Sequence, residues 1–324
     1  MKDLNILITG GAGFIGSHMV ERLSSHNDVT VLDNFSTGKR EYVEKYGVKI
    51  IRGDVRNIDD IIPYSRGMDL IIHLAANPDV RRGEVDNRVD LEVNFIGTYN
   101  VLESMRRNDV GGIIFSSSST VYGEAPMPTP EDYGPLEPIS FYGASKLSAE
   151  SYISAFSHMY GIKGVSMRFA NVVGPRGTHG VIYDFIKKLM RKSNELEILG
   201  DGTQTKSYLH VRDCVEGMIF AYERSVKNYD EFNLGTEDST NVVEIAKIVV
   251  DAMGLRDVRF SFRTGEDGRG WKGDVKRMLL SIEKIKSLGW KPSMGSTEAV
   301  RMAAKELVGE IYGKEDTHGG GGIR

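Results

Sequence analysis

Short apolar stretches alternate with longer stretches of helical periodicity through the first half of the chain. Six apolar stretches have the length of buried strands: Leu4 to Thr9, Val29 to Leu32, Val48 to Ile51, Leu70 to Leu74, Ile113 to Ser116 and Gly164 to Arg168. Apolar strands separated by helices are typical of a parallel sheet that is covered by helices on both faces. The pattern therefore predicts a doubly wound α/β sheet over residues 1–170.

The pattern changes after about residue 170. Loops that contain Gly and Pro, such as Gly174-Pro175-Arg176-Gly177, are interspersed with helical patterns at about 211–226, 241–253 and 296–312. We expect residues 171–318 to form a smaller, mainly substrate-binding part, with some segments returning to the sheet. The glycine-rich residues 319–324 have few side chains that could pack, so the sequence predicts a disordered tail there.

The composition is that of an ordinary globular protein, with 40% hydrophobic and 27% charged residues. The net charge of -4 gives no basic footprint for nucleic acid. No apolar stretch approaches the ~20 residues that cross a bilayer, the single Cys214 excludes an internal disulfide framework, and no Cys and His cluster has metal-ligand spacing. We predict a cytoplasmic protein without metal, membrane or nucleic-acid partners.

A glycine-rich turn follows the first predicted strand directly and precedes a helical pattern. In the run from Thr9 to Gly16, Gly10, Gly13 and Gly16 occupy the places where the backbone turns tightly, approaches a pyrophosphate and packs helix against strand. A glycine pattern alone also fits an ordinary tight turn. Asp33, at the end of the second strand, favours a dinucleotide-binding turn. Its carboxylate can accept hydrogen bonds from the adenosine ribose and would repel a 2′-phosphate. NAD is thus favoured over NADP, and Asp54 is placed to reach the adenine.

Tyr142 and Lys146 are four residues apart, so on a helix they share one face. A free phenol has a pKa of about 10, and a nearby ammonium group favours the phenolate, which makes such a tyrosine a usable base. The same spacing is common on solvated helix surfaces. The hydroxyl run from Ser116 to Thr120 supports the catalytic interpretation, because it ends the fifth strand at the edge of the sheet where ligands bind.

Five motifs occur in the order found in the extended short-chain dehydrogenase/reductase family, which the chain resembles over nearly its whole length. They are Thr9 to Gly16, His73 to Ala76, Phe115 to Gly123, Tyr142 to Lys146 and Arg168 to Pro175. The resemblance implies a Rossmann fold, bound NAD and a UDP-hexose substrate. It is greatest to the branch that inverts C4 of UDP-galactose and UDP-glucose, and it implies a homodimer through helices at 88–107 and 141–160.

The resemblance also implies roles for individual residues. It makes Ser118 the catalytic serine, with Thr120 as the alternative hydroxyl, Tyr142 the base, and Lys146 the group that tunes the base and binds the nicotinamide ribose. Further implied cofactor contacts are Phe14, Ile15, Asn34, Val55, Leu74, Ala75, Ala76 and Asn94. The implied substrate contacts are Ser118, Thr120, Asn171, Lys206, Arg269 and Asp274.

Two departures from the family pattern affect the substrate site. Lys206 stands where relatives often have an arginine, which keeps the charge but loses the bidentate fork. Trp271 stands three residues before Asp274, where relatives commonly have an arginine, and Arg269 is the candidate substitute. The resemblance places Met278 beside the C2 substituent of the sugar, where an adaptable methionine would admit an N-acetyl group.

Several alternatives stay open at this point. A dehydratase or decarboxylase begins with the same C4 oxidation, but in dehydratases an Asp-Glu pair follows the catalytic hydroxyl, whereas Thr120-Val121 stands here. An epimerase for UDP-N-acetylglucosamine or a UDP-uronate fits the same motifs. A non-catalytic NAD-binding regulator is disfavoured by the intact set of Ser118, Tyr142 and Lys146.

Overall fold

A computed structural model describes residues 1–318, so the predicted tail at 319–324 lies outside the described residues. The strands are β1 (Asn5–Thr9), β2 (Asp28–Asp33), β3 (Lys49–Arg52), β4 (Leu70–His73), β5 (Gly112–Ser118), β6 (Lys163–Phe169), β7 (Asn171–Val173), β8 (Glu195–Leu199), β9 (Thr205–Lys206), β10 (Tyr208–His210), β11 (Tyr229–Leu234), β12 (Thr240–Asn241), β13 (Arg259–Arg263) and β14 (Arg277–Met278).

The α-helices alternate with these strands. They are α1 (Phe14–Leu23), α2 (Ile62–Ser65), α3 (Arg88–Asp90), α4 (Gly97–Arg107), α5 (Phe141–Tyr160), α6 (Val181–Arg191), α7 (Val211–Arg224), α8 (Val242–Ala252), α9 (Glu283–Ser287) and α10 (Ser296–His318). A π-helical turn over Leu91–Ile96 joins α3 to α4, so the segment 88–107 is helical throughout.

A seven-stranded sheet in the order β11-β6-β5-β4-β1-β2-β3 forms the centre of the molecule. Every pair of neighbouring strands is parallel. The strand order reverses beside β1, whose neighbours are β4 and β2, and a crevice opens at the carboxyl ends of strands at such a reversal. The prediction of a doubly wound parallel sheet is confirmed.

Helices cover both faces of the sheet, which explains the largely apolar runs in the sequence. Ile6 and Ile8 of β1 pack on the face that carries α1 and α7. Leu7 points the other way, into a second core formed with α4 and α5. Because successive side chains of a strand alternate between faces, one short apolar strand supplies both layers.

The second part of the chain has a core of its own but also completes the sheet. Residues of α6, α8 and α10 pack on β8 in this separate core. Strand β11 leaves this part and pairs with β6 at the edge of the large sheet. In the described part of the chain no helix is long and apolar enough to cross a membrane.

Candidate active site

A cavity of about 650 Å³ extends from the carboxyl ends of the large sheet into the second part. Its wall includes most of the residues that the sequence singled out. From the cofactor set these are Gly10, Gly13, Phe14, Ile15, Gly16, Asp33, Asn34, Val55, Leu74, Ala75 and Ala76; from the catalytic and substrate sets they are Ser118, Thr120, Tyr142, Lys146, Asn171, Lys206 and Asp274.

The glycine turn has no room for a side chain at Gly10 or Gly16. Gly10 has a φ of +68°, and a Cβ there would lie 2.6 Å from the backbone nitrogen of Ala75. At Gly16 a Cβ would lie 2.2 Å from the carbonyl oxygen of Gly10. Helix α1 begins directly after Gly13, which provides no side-chain cap, so the first N–H groups of α1 remain for an anionic ligand.

Asp33 occupies the position expected of a ribose-binding carboxylate. It ends β2, is buried in the cavity wall, and accepts hydrogen bonds from the backbone N–H groups of Ala12 (2.9 Å) and Phe35 (2.8 Å). Burial raises the pKa of Asp33, while these two hydrogen bonds lower it. The cradle of the glycine turn and this carboxylate fit the pyrophosphate and the adenosine ribose of NAD.

Asp54 and Asn94 are not among the residues that line the cavity. The Asp54 carboxylate accepts hydrogen bonds from Arg56 (2.7 Å) and Asn34 (3.0 Å), and the Arg56 guanidinium holds the pKa of Asp54 well below its usual range. Asn94 is buried behind the wall, where its Oδ1 accepts from the backbone N–H of Asn77 and its Nδ2 donates to Asp90 Oδ1 and to the Ser145 hydroxyl. Asp54 and Asn94 therefore lie next to residues of the cavity wall, Asn34 and Asn77, and not in the wall itself.

The hydrogen-bond partners distinguish the serines of β5. Ser116 donates to the carbonyl of His73 and Ser117 to the carboxylate of Glu150, so both hydroxyls are used within the protein. The Ser118 oxygen accepts from the Thr120 hydroxyl at 2.9 Å, which leaves the Ser118 hydrogen free to bond Tyr142. Ser118 is thus the serine that reaches the tyrosine.

The first turn of α5 fixes Tyr142 beside Ser118. The Ser140 hydroxyl caps this helix by accepting a hydrogen bond from the N–H of Gly143 at 3.1 Å. One turn further, the buried Lys146 donates from Nζ to the carbonyl of Ser116 at 2.7 Å, and its Nζ lies 5.7 Å from the centre of the Tyr142 ring. The predicted set of Ser118, Tyr142 and Lys146 is therefore one cluster in the cavity wall.

The electrostatics of this cluster differ from the sequence-based expectation that Lys146 lowers the pKa of Tyr142. Burial and the Asp90 carboxylate raise the pKa of Tyr142, and the Ser118 hydrogen bond lowers it. Burial also lowers the pKa of Lys146 to about 7. The sequence could not reveal this difference, because its cause is the depth at which both groups are buried.

Asp90 is a buried acid that the sequence analysis missed. Its Oδ1 accepts from the side-chain amides of Asn77 (2.9 Å) and Asn94 (3.1 Å), whereas its Oδ2 has no partner among the described residues. Burial raises the pKa of Asp90. The π-helical turn that follows Asp90 was also not predicted, and such turns often occur at functional sites.

The substrate side of the cavity is arranged around Asp274. Lys206 donates to Asp274 Oδ1 at 2.8 Å, and Asn171 donates to the carbonyl of Ser207 at 3.2 Å. Arg269 does not line the cavity, because its guanidinium bonds the Asp274 carbonyl (2.6 Å) and the carboxylate of Glu124 (2.7 Å). The structure therefore does not bring Arg269 to the place of the missing arginine.

Other groups in the wall were not predicted as site residues. Arg176, which has a φ of +64° and lines the cavity, reaches the first turn of α1, where its Nη1 lies 3.3 Å from the Ser17 hydroxyl. The loop that holds Arg176 was evident in the sequence, but its approach to α1 depends on tertiary packing. Among the described residues there is no group of three or more His, Cys, Asp or Glu side chains that could hold a metal ion.

Comparison with known proteins places this site in a family. The profile of the NAD dependent epimerase/dehydratase family matches residues 6–235. The chain belongs to that family. The resemblance to the extended short-chain dehydrogenase/reductase family is confirmed, and as a member of the NAD dependent epimerase/dehydratase family this enzyme has NAD as its cofactor.

Relatives within the family act on different sugars. A crystal structure of UDP-galactose 4-epimerase is 41% identical, with a TM-score of 0.85 and coverage of 94% of this chain and 99% of that one. UDP-N-acetylglucosamine 4-epimerase from Methanobrevibacter ruminantium is 30% identical, with a TM-score of 0.84 and coverage of 96% and 100%. UDP-glucuronic acid decarboxylase 2 of Arabidopsis thaliana is 30% identical over 97% of this chain and 70% of its own length.

Proposed function

We propose that the chain is a nucleotide-sugar 4-epimerase that interconverts UDP-galactose and UDP-glucose through a transient 4-keto sugar. The main observation in favour is the cluster of Ser118, Tyr142 and Lys146 in a cavity whose wall also contains the glycine turn and Asp33. Bound NAD supplies the hydride chemistry at C4. The sugar ring has to rotate between the two hydride transfers, so the protein must bind the substrate mainly through its nucleotide.

Each residue of the cluster has a defined task in this proposal. Tyr142 removes the proton of the C4 hydroxyl and returns it after the sugar has turned. Ser118 hydrogen-bonds the reacting oxygen, for which its position beside Tyr142 is suitable. Lys146 is fixed by the Ser116 carbonyl one turn after Tyr142, where it would hold the nicotinamide ribose in place.

The lining of the cavity also bears on the alternatives. Thr120 and Val121 follow the catalytic hydroxyl, so the acid pair typical of dehydratases is missing from these positions. The wall does contain Asp79 and Asp184, but each carboxylate pairs with Arg81, at 3.4 Å and 3.5 Å. These observations favour epimerisation over elimination.

The deciding experiment incubates the purified, NAD-loaded protein with UDP-galactose and follows the sugar by proton NMR. We expect UDP-glucose to appear without net NADH, because the redox cycle closes on itself. The Tyr142→Phe protein is the control, and it should bind NAD but lose nearly all turnover. Stoichiometric accumulation of NADH would refute the proposal. A product sugar that has lost water or carbon dioxide would also refute it.

The same assay tests sugar choice. Met278 lines the cavity and packs beside Tyr122 and Leu280. We expect measurable conversion of UDP-N-acetylglucosamine by the native protein, and a lower rate relative to the plain sugar in Met278→Tyr, because a rigid ring would fill the space of the acetyl group. An unchanged rate ratio in the variant would show that Met278 does not control the choice of sugar.

The cytoplasmic location of the protein stays a prediction.

A further inference from the structure

The loop between β7 and α6 brings an arginine of the second part of the chain against the first helix. Arg176 lines the cavity, and its guanidinium bonds the hydroxyl of Ser17 at 3.3 Å and the carboxylate of Glu21, both on α1. The Arg176 side chain is only 12% exposed. Because the pyrophosphate of a dinucleotide binds at the start of such a helix, Arg176 meets α1 at the edge of the cofactor site.

The same loop also contacts two other elements. The backbone N–H of Arg176 donates to the carboxylate of Glu310 on α10 at 2.6 Å, and its guanidinium lies 3.5 Å from the hydroxyl of Tyr46, between β2 and β3. The carbonyl of Pro175 accepts a hydrogen bond from His18 Nε2 of α1 at 3.1 Å. These contacts join the second part of the chain, α1 and the segment after β2 at one place.

The backbone conformation of Arg176 indicates that these partners fix its position. Its φ of +64° lies in the left-handed region, which residues other than glycine, asparagine and aspartate rarely adopt. A residue keeps such a conformation where its surroundings hold it, and residues of this kind cluster at ligand clamps and switch regions. Here the bonds to Ser17, Glu21 and Glu310 hold the arginine.

We propose that Arg176 is a positioning residue that holds the second part of the chain closed over the cofactor, and that it thereby keeps NAD bound between turnovers. Among the arginine and lysine residues of the described cavity wall, only Arg176 has a hydrogen bond or ion pair with α1, so the contact depends on one side chain. Release of the cofactor then requires the bonds from Arg176 to α1 to break. The inference does not depend on which sugar the enzyme converts.

The test measures how fast the dinucleotide leaves the protein. Apo-protein reconstituted with NADH is mixed with excess NAD, and the loss of bound-NADH fluorescence gives the rate constant of release. We expect Arg176→Ala to release NADH roughly 10- to 100-fold faster than the native protein, because charge-assisted hydrogen bonds keep the site closed. Arg176→Lys keeps the charge but loses the fork that bonds Ser17 and Glu21 together, so its release rate should lie between the two.

Glu21→Ala tests the same contact from the side of α1. Glu21 does not line the cavity, so faster release of NADH from this variant would have to act through Arg176. The double variant should release NADH no faster than Arg176→Ala alone, because both changes remove one interaction. Arg212→Gln is the matched control, since Arg212 is exposed, bonds Glu306 of α10 at 2.8 Å and lies outside the cavity wall, and its release rate should equal that of the native protein.

An arginine that only holds the fold together would give a different result. Arg176→Ala would then lower the melting temperature of the apo-protein and release NADH at the native rate, which would overturn the inference. A double variant that releases NADH faster than Arg176→Ala by the full factor seen in Glu21→Ala would overturn it too. If Arg176→Ala does not fold, Arg176→Lys and Glu21→Ala decide the question, and native release rates in both would refute the role of Arg176.

Discussion

At the scale of single residues, Asp90 has the clearest consequence for the pH dependence of activity. Its carboxylate raises the pKa of Tyr142 and also that of Lys146. Asp90→Asn removes this charge while an amide keeps the acceptor for Asn77 and Asn94. The pKa of Tyr142 should then fall, so the base stays deprotonated at lower pH. The pKa of Lys146 should fall too, so its charge is lost at lower pH.

Both limbs of the pH profile of kcat are therefore expected to move to lower pH in Asp90→Asn. Asp86→Asn is the control, because Asp86 is exposed, does not line the cavity, and has a charge that solvent screens. Steady-state rates over the pH range, with thermal melting as a check on folding, provide the measurement. Superimposable profiles for the native and Asp90→Asn proteins would rule out this electrostatic role.

Single residues also differ in how far the sequence could place them. Ser118 was predictable because the end of a parallel strand faces the ligand crevice. Arg269 was not, since charge and proximity in sequence do not reveal that Glu124 competes for its guanidinium. Asp90 gave no signal, because one acid in a helical pattern looks like a solvated residue until its burial is known.

At the scale of elements, a buried ion pair joins β5, α5 and β6 behind the catalytic residues. Arg168 of β6 bonds Glu150 of α5 at 2.7 Å, and Glu150 also accepts from Ser117 of β5. We expect Glu150→Gln to lower the free energy of unfolding by about 3–5 kcal/mol, because it leaves the guanidinium charge buried without its partner. Denaturant unfolding would measure the loss.

The matched control is Glu44→Gln, which removes an exposed partner of Arg40. A surface pair of this kind contributes about 0–1 kcal/mol, so the control should unfold almost as the native protein does. Similar losses in the two variants would contradict the importance of burial for the pair between Glu150 and Arg168.

The strands of the sheet show what apolar pattern can and cannot predict. Six strands have largely apolar runs because helices cover both faces of the sheet. Strand β11 was missed, since it begins with Tyr229-Asp230-Glu231 and lies at the edge of the sheet. Asp230 of β11 is buried, and its carboxylate pairs with Lys284 at 2.8 Å. This ion pair offsets the burial of the charge, and only the folded structure reveals it.

At the scale of the whole molecule, the outer surface of the helical segment 88–107 and of α5 is unusually apolar. Leu91, Tyr152 and Met159 are 51%, 43% and 74% exposed. The centres of the Tyr99 and Tyr152 rings lie 6.2 Å apart, so an aromatic pair joins the two helical segments on this side of the molecule. We propose that two copies of the chain associate through this surface, since apolar patches of this kind mark protein interfaces.

The dimer can be tested by sedimentation velocity. Native protein should sediment as a dimer, and a double variant of Leu91→Lys and Met159→Lys should sediment as a monomer with its NAD still bound. Val226→Lys is the control, because Val226 is 97% exposed and lies outside the helical surface. A monomeric native protein, or a dimer that survives the double variant, would contradict the proposal.

The position of β11 at the sheet edge has a consequence for synthesis of the chain on the ribosome. Strand β6 ends at Phe169 and its partner begins only at Tyr229, so several seconds of elongation separate them at about 5–20 residues per second. During that interval the nascent protein presents an unpaired strand edge, which is a template for aggregation. Lys163 places a charge at the start of this strand, and such charge discourages pairing with other nascent chains until translation delivers β11.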